Sequence, residues 1–182
     1  MNERDPPEVQ AGALFLRKLS PSDKHTIFRL SQEPGMKAWL PDQVYDTEAQ
    51  ALEVLAYLVS QYASPGDPRQ SPYVLGVCLC ATRELIGHVG FSPCGRGVEV
   101  GYAIADAHQG RGHAKQAVSA ATSWSLTTFD LDAIYAVVAQ DNVVSCRVLE
   151  ACGYEAVDLQ RRKLHGVERL VRTYAHRRLE LL

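Results

Sequence analysis

Residues 99–125 read EVGYAIADAHQGRGHAKQAVSAATSWS, and the succession of patterns in this stretch decides the fold. Val98, Val100, Tyr102 and Ile104 alternate with Glu99, Gly101 and Ala103, which is the two-residue period of a strand. Gln109-Gly110-Arg111-Gly112-His113-Ala114 follows, with small residues close together, and helical spacing then begins. Small side chains let an anion approach the backbone, and the N–H groups of a helix's first turn have no partner of their own. The stretch therefore predicts a strand, a socket for a phosphorylated ligand, and a helix.

Upstream, Tyr73–Cys80 and Leu85–Phe91 carry strand patterns joined by short turns to Val98–Ile104, an antiparallel meander. Before them, Ala13–Leu19 reads as a first strand and Ser20-Pro21-Ser22-Asp23 as the start of a helix reaching about Ser31. Pro34, Gly35 and Pro41 break the next segment, and Thr47-Glu48-Ala49-Gln50 is a capping box opening a helix to Ala63. Ser64–Ser71 is a loop by composition. Downstream, Ala133–Ala139 is a strand, Val143–Cys152 a helix closed by Gly153, and Tyr154–Leu164 and Glu168–His176 a final strand pair turning at His165-Gly166. The order predicts one α/β domain over residues 13–182, with a mixed, mostly antiparallel central sheet flanked by helices. Residues 1–12, polar and proline-containing, read as a flexible arm.

Composition narrows the function. The chain has 182 residues, a net charge of -2, and 46% hydrophobic residues. That suits one globular core and argues against a general binder of nucleic acid or membrane surfaces. Arg161–Arg178 is locally basic, with Glu168 its one acid, which fits solvated strand faces or an anion site. The cysteines, 5 in number, form neither a disulfide framework nor a metal-ligand spacing. The N-terminus lacks the apolar core of a signal peptide, so a cytoplasmic, reducing location is expected.

Two familiar phosphate-binding motifs do not fit the loop. A Walker A sequence needs Lys-Ser/Thr after its last glycine, whereas Gly112 leads to His113-Ala114. A dinucleotide fingerprint would need a glycine at Lys115. Three blocks together resemble a different family. Glu99-Val100-Gly101-Tyr102 with Gln109–Ala114, then Asn142-Val143-Val144-Ser145 with Leu149–Tyr154, and the opening Leu14–Leu19, are similar to the GNAT N-acetyltransferases. Within that family they resemble the RimJ/RimL-like protein N-terminal acetyltransferases.

The resemblance implies acetyl-CoA as acetyl donor and direct attack of a primary amine on the thioester. It implies a splayed strand pair whose gap holds the pantetheine arm along Ala103, Ile104 and Ala105. Gln109, Gly110, Arg111, Gly112, His113 and Ala114 would hold the pyrophosphate, and Asn142 would touch the arm from the other side or simply cap its helix. The acceptor would be a protein N-terminus or a small-molecule amine such as a polyamine, amino acid or aminoglycoside, with Met36–Asp46 and the His165 hairpin as its wall. The family also implies a homodimer. A catalytically idle acyl-CoA-binding or regulatory domain is the rival reading.

The chemistry needs a base for the ammonium, a donor for the carbonyl oxygen and an acid for the thiolate. Glu99, an acid in an otherwise apolar strand, is the first candidate base, unless it is an edge carboxylate paired with an arginine. His88 is the second, unless it is a structural histidine. The position where many GNAT enzymes carry an acid tyrosine is Leu149 here, which cannot donate. Ser145 is the candidate substitute, and Tyr154 is expected to fill the core.

Overall fold

The computed structural model describes residues 9–63 and 66–178. Its eight-stranded sheet runs β1-β2-β3-β4-β5-β6-β8-β7. The strands are β1 (Val9–Ala11), β2 (Leu14–Lys18), β3 (Tyr73–Leu79), β4 (Leu85–Cys94), β5 (Gly97–Ile104), β6 (Ala133–Ala139), β7 (Glu155–Leu164) and β8 (Val167–Arg177). The helices are α1 (Lys24–Ser31), α2 (Pro34–Trp39), α3 (Glu48–Gln61), α4 (His113–Thr128) and α5 (Val143–Ala151). Every neighbouring pair of strands is antiparallel except β5 and β6.

Two elements depart from the sequence reading. The expected arm of residues 1–12 contains β1, whose Val9 and Ala11 pair with Leu16 and Leu14; residues 1–8 lie outside the described residues. The segment after Ser31 is helical rather than broken. Pro34 occupies the first turn of α2, where its missing N–H costs nothing, and Pro41 opens a short 3-10 turn. The expected loop at 64–71 includes residues 64 and 65, which are also outside the described residues.

Helices cover both faces of the middle of the sheet, while β7 is largely exposed. On one face the small residues of α4, Ala117, Val118 and Ala121, let the helix sit against Val89, Phe91, Val98 and Val100 in a single dry cluster. On the other, α1 and α3 pack Ile27, Leu55 and Leu58 against Phe15, Cys78 and Leu85. The α3 start is the capping box in modified form. Thr47 Oγ1 accepts from Gln50 N at 3.2 Å, while Gln50 Oε1 accepts from Asp46 N at 2.7 Å. At the end of α5, Gly153 has φ 80° and the Tyr154 N–H returns to the Leu149 carbonyl at 3.0 Å, so the chain leaves straight into β7.

Candidate functional site

β5 and β6 are paired at one position, Glu99 opposite Tyr135. Beyond it they diverge, because β5 stays in register with β4 through Ile104 while β6 stays in register with β8 through Ala139. The gap between Val100–Ile104 and Ala136–Ala139 opens into a cavity of about 730 Å³. Backbone groups on the facing strand edges lack a ladder partner there, so an extended chain can add to them as a strand would.

The glycine loop closes the upper end of this gap. Gly110 and Gly112 take φ 72° and 78°, a left-handed conformation that favours glycine. A Cβ at Gly110 would meet nothing within 4 Å, so the loop's outer side is open to an incoming group. The first hydrogen bond of α4 runs from Gln116 N to Gly112 O at 3.1 Å. The amides of His113, Ala114 and Lys115 therefore have no acceptor within the helix and can receive an anion. Gln109 lines the gap and braces the loop, its Nε2 donating to Ile104 O at 2.9 Å and to Asp106 Oδ1 at 3.0 Å. His113 is buried, with Nδ1 3.1 Å from the His108 carbonyl. These features suit a diphosphate and an extended arm.

Ala103 and Ile104 line the gap, as expected. Ala105 does not fit the expectation. It is buried, and its N–H is spent on the Ile86 carbonyl at 2.8 Å, so it cannot pair with an added chain. Arg111 is exposed and contributes no wall, whereas Lys115, which sequence reasoning missed, does. Asn142 lines the gap but spends its side chain as the α5 N-cap, accepting from Ser145 N at 3.2 Å.

Ser145 and Tyr102 meet across the gap. The Tyr102 hydroxyl donates to the Ser145 carbonyl at 3.2 Å and lies 2.8 Å from its Oγ. Burial pushes the Tyr102 phenol up to about 12, so it keeps its proton at neutral pH. Alternation places Tyr102 on the strand face of Val100 and Ile104, but it does not separate a packed ring from one whose hydroxyl reaches a cavity. Leu149 is buried beside them, and Tyr154 is in the core with its hydroxyl 2.7 Å from Thr122 Oγ1, as expected.

A second cavity, of about 570 Å³, lies on the opposite side of β5 and shares with the first Val100, Gly101 and Val137 beside the splay, as well as Met36, Leu40, Leu164 and His165. Glu99 and His88 both line it, because the register places His88, Gly90 and Ser92 opposite Ala103, Gly101 and Glu99 on one sheet face. Burial raises the Glu99 carboxyl above its ordinary value, and the charges of Arg162 and His165 pull it part of the way back. His88 is pushed down to about 4 by burial, and its Nε2 is sealed without a hydrogen-bond partner. A neutral imidazole of such low basicity is a poor proton acceptor, which weakens the expectation that His88 serves as a base.

The expected acceptor wall is assembled in part. Met36, Leu40, Asp42 and Tyr45 face Leu164 and His165, and His165 Nδ1 lies 2.5 Å from Asp42 Oδ2 above the cavity. Trp39 turns to the other cavity, under the Arg169 guanidinium at 5.5 Å. Among the described residues, no group of three His, Cys, Asp or Glu side chains is placed to hold a metal, and no helix is long and apolar enough to cross a membrane.

The chain matches the family model described as the acetyltransferase (GNAT) domain over residues 13–155. It is 25% identical over 162 residues to the uncharacterized N-acetyltransferase YoaA of Bacillus subtilis, covering 87% of this chain and 89% of that one. The ribosomal-protein-S5-alanine acetyltransferase of Vibrio fischeri superposes with a TM-score of 0.80 at 20% identity, covering 94% of this chain and 97% of the other. The spermidine N-acetyltransferase of Vibrio cholerae, solved with CoA and spermine, superposes with a TM-score of 0.74 at 22% identity over 91% and 95% of the two chains.

Proposed function

The chain belongs to the GNAT acetyltransferase family, whose donor is acetyl-CoA, and from that premise we propose that it acetylates a primary amine seated against Glu99. The observation that carries this reading is the position of Glu99 at the foot of the splay. There the donor gap and the second cavity share Val100, Gly101 and Val137. An amine in the second cavity thus reaches a thioester in the gap through that junction.

Glu99 takes the ammonium proton, directly or through a water, and the free amine nitrogen attacks the acetyl carbonyl carbon. A C–N bond forms, the attacking nitrogen sheds its second proton, the C–S bond breaks, and CoA leaves as a thiolate that this proton neutralises. The raised carboxyl pKa brings Glu99 nearer to the working pH, which suits a base. Unpaired N–H groups on the gap edge of β5 receive the charge that develops on the carbonyl oxygen. Ser145, held by Tyr102, donates to the leaving thiolate in place of the tyrosine that Leu149 replaces. Gly110, Gly112 and the first-turn amides of α4 hold the pyrophosphate.

The opening strand and the Asn142–Ser145 block resemble the RimJ/RimL-like branch. Free cysteines at 78, 80, 94, 146 and 152 suit a reducing cytoplasm.

The test is thiol release from acetyl-CoA over a panel of amines, with CoA binding measured separately by calorimetry. The expected result is acceptor-dependent release that Glu99→Gln lowers at least tenfold while the CoA affinity holds. CoA binding without release on any amine would make the chain an acyl-CoA-binding module instead.

A further inference from the structure

We propose that the acceptor is a free α-amino acid with a large apolar side chain. This rests on the acetyltransferase reading above and goes on to name the amine. The second cavity's charged lining is Glu99, Asp42, Arg162, Lys163 and His165, and its apolar lining includes Leu19, Ile27, Leu30, Leu55, Leu58 and Val74. The acids in its lining, among the described residues, are Glu99 and Asp42.

Each part of an α-amino acid finds its complement. The ammonium belongs at Glu99, the carboxylate that remains when Asp42 is engaged by His165. The carboxylate belongs at Arg162, whose guanidinium makes, among the described residues, a single long hydrogen bond from Nη2 to Thr173 Oγ1 at 3.4 Å, leaving Nη1 without a partner. A guanidinium with open donors on a cavity wall matches a planar carboxylate. An α-amino acid brings both groups within two bonds of one carbon, and its side chain then meets the apolar lining.

Other amines fit less well. A polyamine or aminoglycoside would bury further ammonium groups in a mostly apolar lining that has, among the described residues, no carboxylate besides Glu99 and Asp42. A peptide carries an uncharged amide where a free amino acid has the carboxylate that Arg162 would receive. The volume, about 570 Å³, is that of a small-molecule site.

The amino nitrogen gains the acetyl group and loses two protons, one to Glu99 and one, shed after attack, to the departing CoA sulfur. The products are an N-acetyl amino acid and CoA.

The experiment uses the full chain with acetyl-CoA and measures kcat/KM by thiol release. The acceptors are L-phenylalanine, L-leucine, L-alanine, phenethylamine, the dipeptide Phe-Ala, spermidine and kanamycin. Phenylalanine and leucine are expected to exceed each of the others by at least about tenfold, the discrimination a well-filled apolar pocket supplies. Arg162→Gln should raise the KM for phenylalanine and erase its advantage over phenethylamine. Val54→Trp, which fills the cavity from α3, should erase its advantage over alanine. A preference for spermidine, kanamycin or Phe-Ala would overturn this acceptor class and leave the acetyltransferase reading standing. Release from none of the amines, with CoA still bound, would overturn that reading and this inference with it.

Discussion

The Tyr102 hydroxyl, from β5, sits 2.8 Å from Ser145 Oγ in the first turn of α5, and the pair spans the gap between the splayed strands. It holds the serine hydroxyl at the gap wall where the expected tyrosine is absent. Ser145→Ala should lower kcat by about 10- to 100-fold, the lower part of the range for a lost general acid. Tyr102→Phe should lower kcat less, about 3- to 10-fold, since it removes only the orienting bond, and should cost about 1 kcal/mol of stability. In both variants the KM for acetyl-CoA should hold. An unchanged kcat in Ser145→Ala would remove the serine from the chemistry.

Glu99 should set the acid limb of the rate profile. The group must be ionised to act, and burial raises its pKa above the ordinary glutamate value of 4.5. The limb in kcat/KM should therefore lie above the ordinary carboxylate range, and Glu99→Gln should abolish it along with about 10²- to 10³-fold in rate. Stability moves the other way. A carboxyl whose folded pKa exceeds its unfolded one binds more protons when folded, so its burden on the fold grows as pH rises through that interval. Glu99→Gln should thus melt higher than the parent at neutral pH and level with it in acid. A lower melting temperature at neutral pH would mean that Glu99 is a structural carboxylate.

The framework around these groups was legible because it is local. Alternation marked the strands, the Gly110 and Gly112 loop marked the socket, and Thr47 and Asn142 marked helix starts they do cap. What was not legible depends on distant partners. Ala105 looks like its neighbours in sequence, yet the Ile86 carbonyl claims its N–H. Leu30, Leu55 and Val74 have the pattern of core residues, and periodicity does not tell a side chain against the core from one against a cavity. The low basicity of His88 comes from elements packed over β4, which its own strand does not reveal. The same holds for Arg162, whose open guanidinium looks on paper like any residue of a basic hairpin.

His88 should make the fold acid-sensitive. Its pKa is pushed down to about 4 from an ordinary 6.5, so between these values the unfolded chain binds the extra proton. Its contribution is complete above about pH 6.5 and is lost as pH falls towards 4, by at most about 3 kcal/mol. His88→Leu removes both the titration and a buried nitrogen without a partner. The variant should melt within a few degrees of the parent at pH 7, lose less stability than the parent between pH 6.5 and 4, and keep turnover within about fivefold. A loss of turnover as large as that of Glu99→Gln would restore His88 as a base.

Gly101 and Gly87 lie on adjacent strands and should respond oppositely to an added side chain. A Cβ at Gly101 would meet nothing within 4 Å, and Gly101 lines both cavities where they join. Its backbone lies outside the left-handed region, so a side chain there brings no strain. Gly101→Val should fold with a near-parental melting temperature, bind CoA normally, and lose at least about 100-fold in kcat/KM. The cause is misplacement of the amine relative to the thioester by about the width of a methyl group. At Gly87 a Cβ would stand 2.2 Å from the Ala103 carbonyl oxygen, a backbone atom that cannot swing aside. Gly87→Ala must push β4 from β5, costing about 3 kcal/mol or more and widening the floor of the donor gap. If Gly101→Val instead transfers acetyl at the parental rate, the two cavities are not joined at that residue, and the amine must reach the thioester by another route.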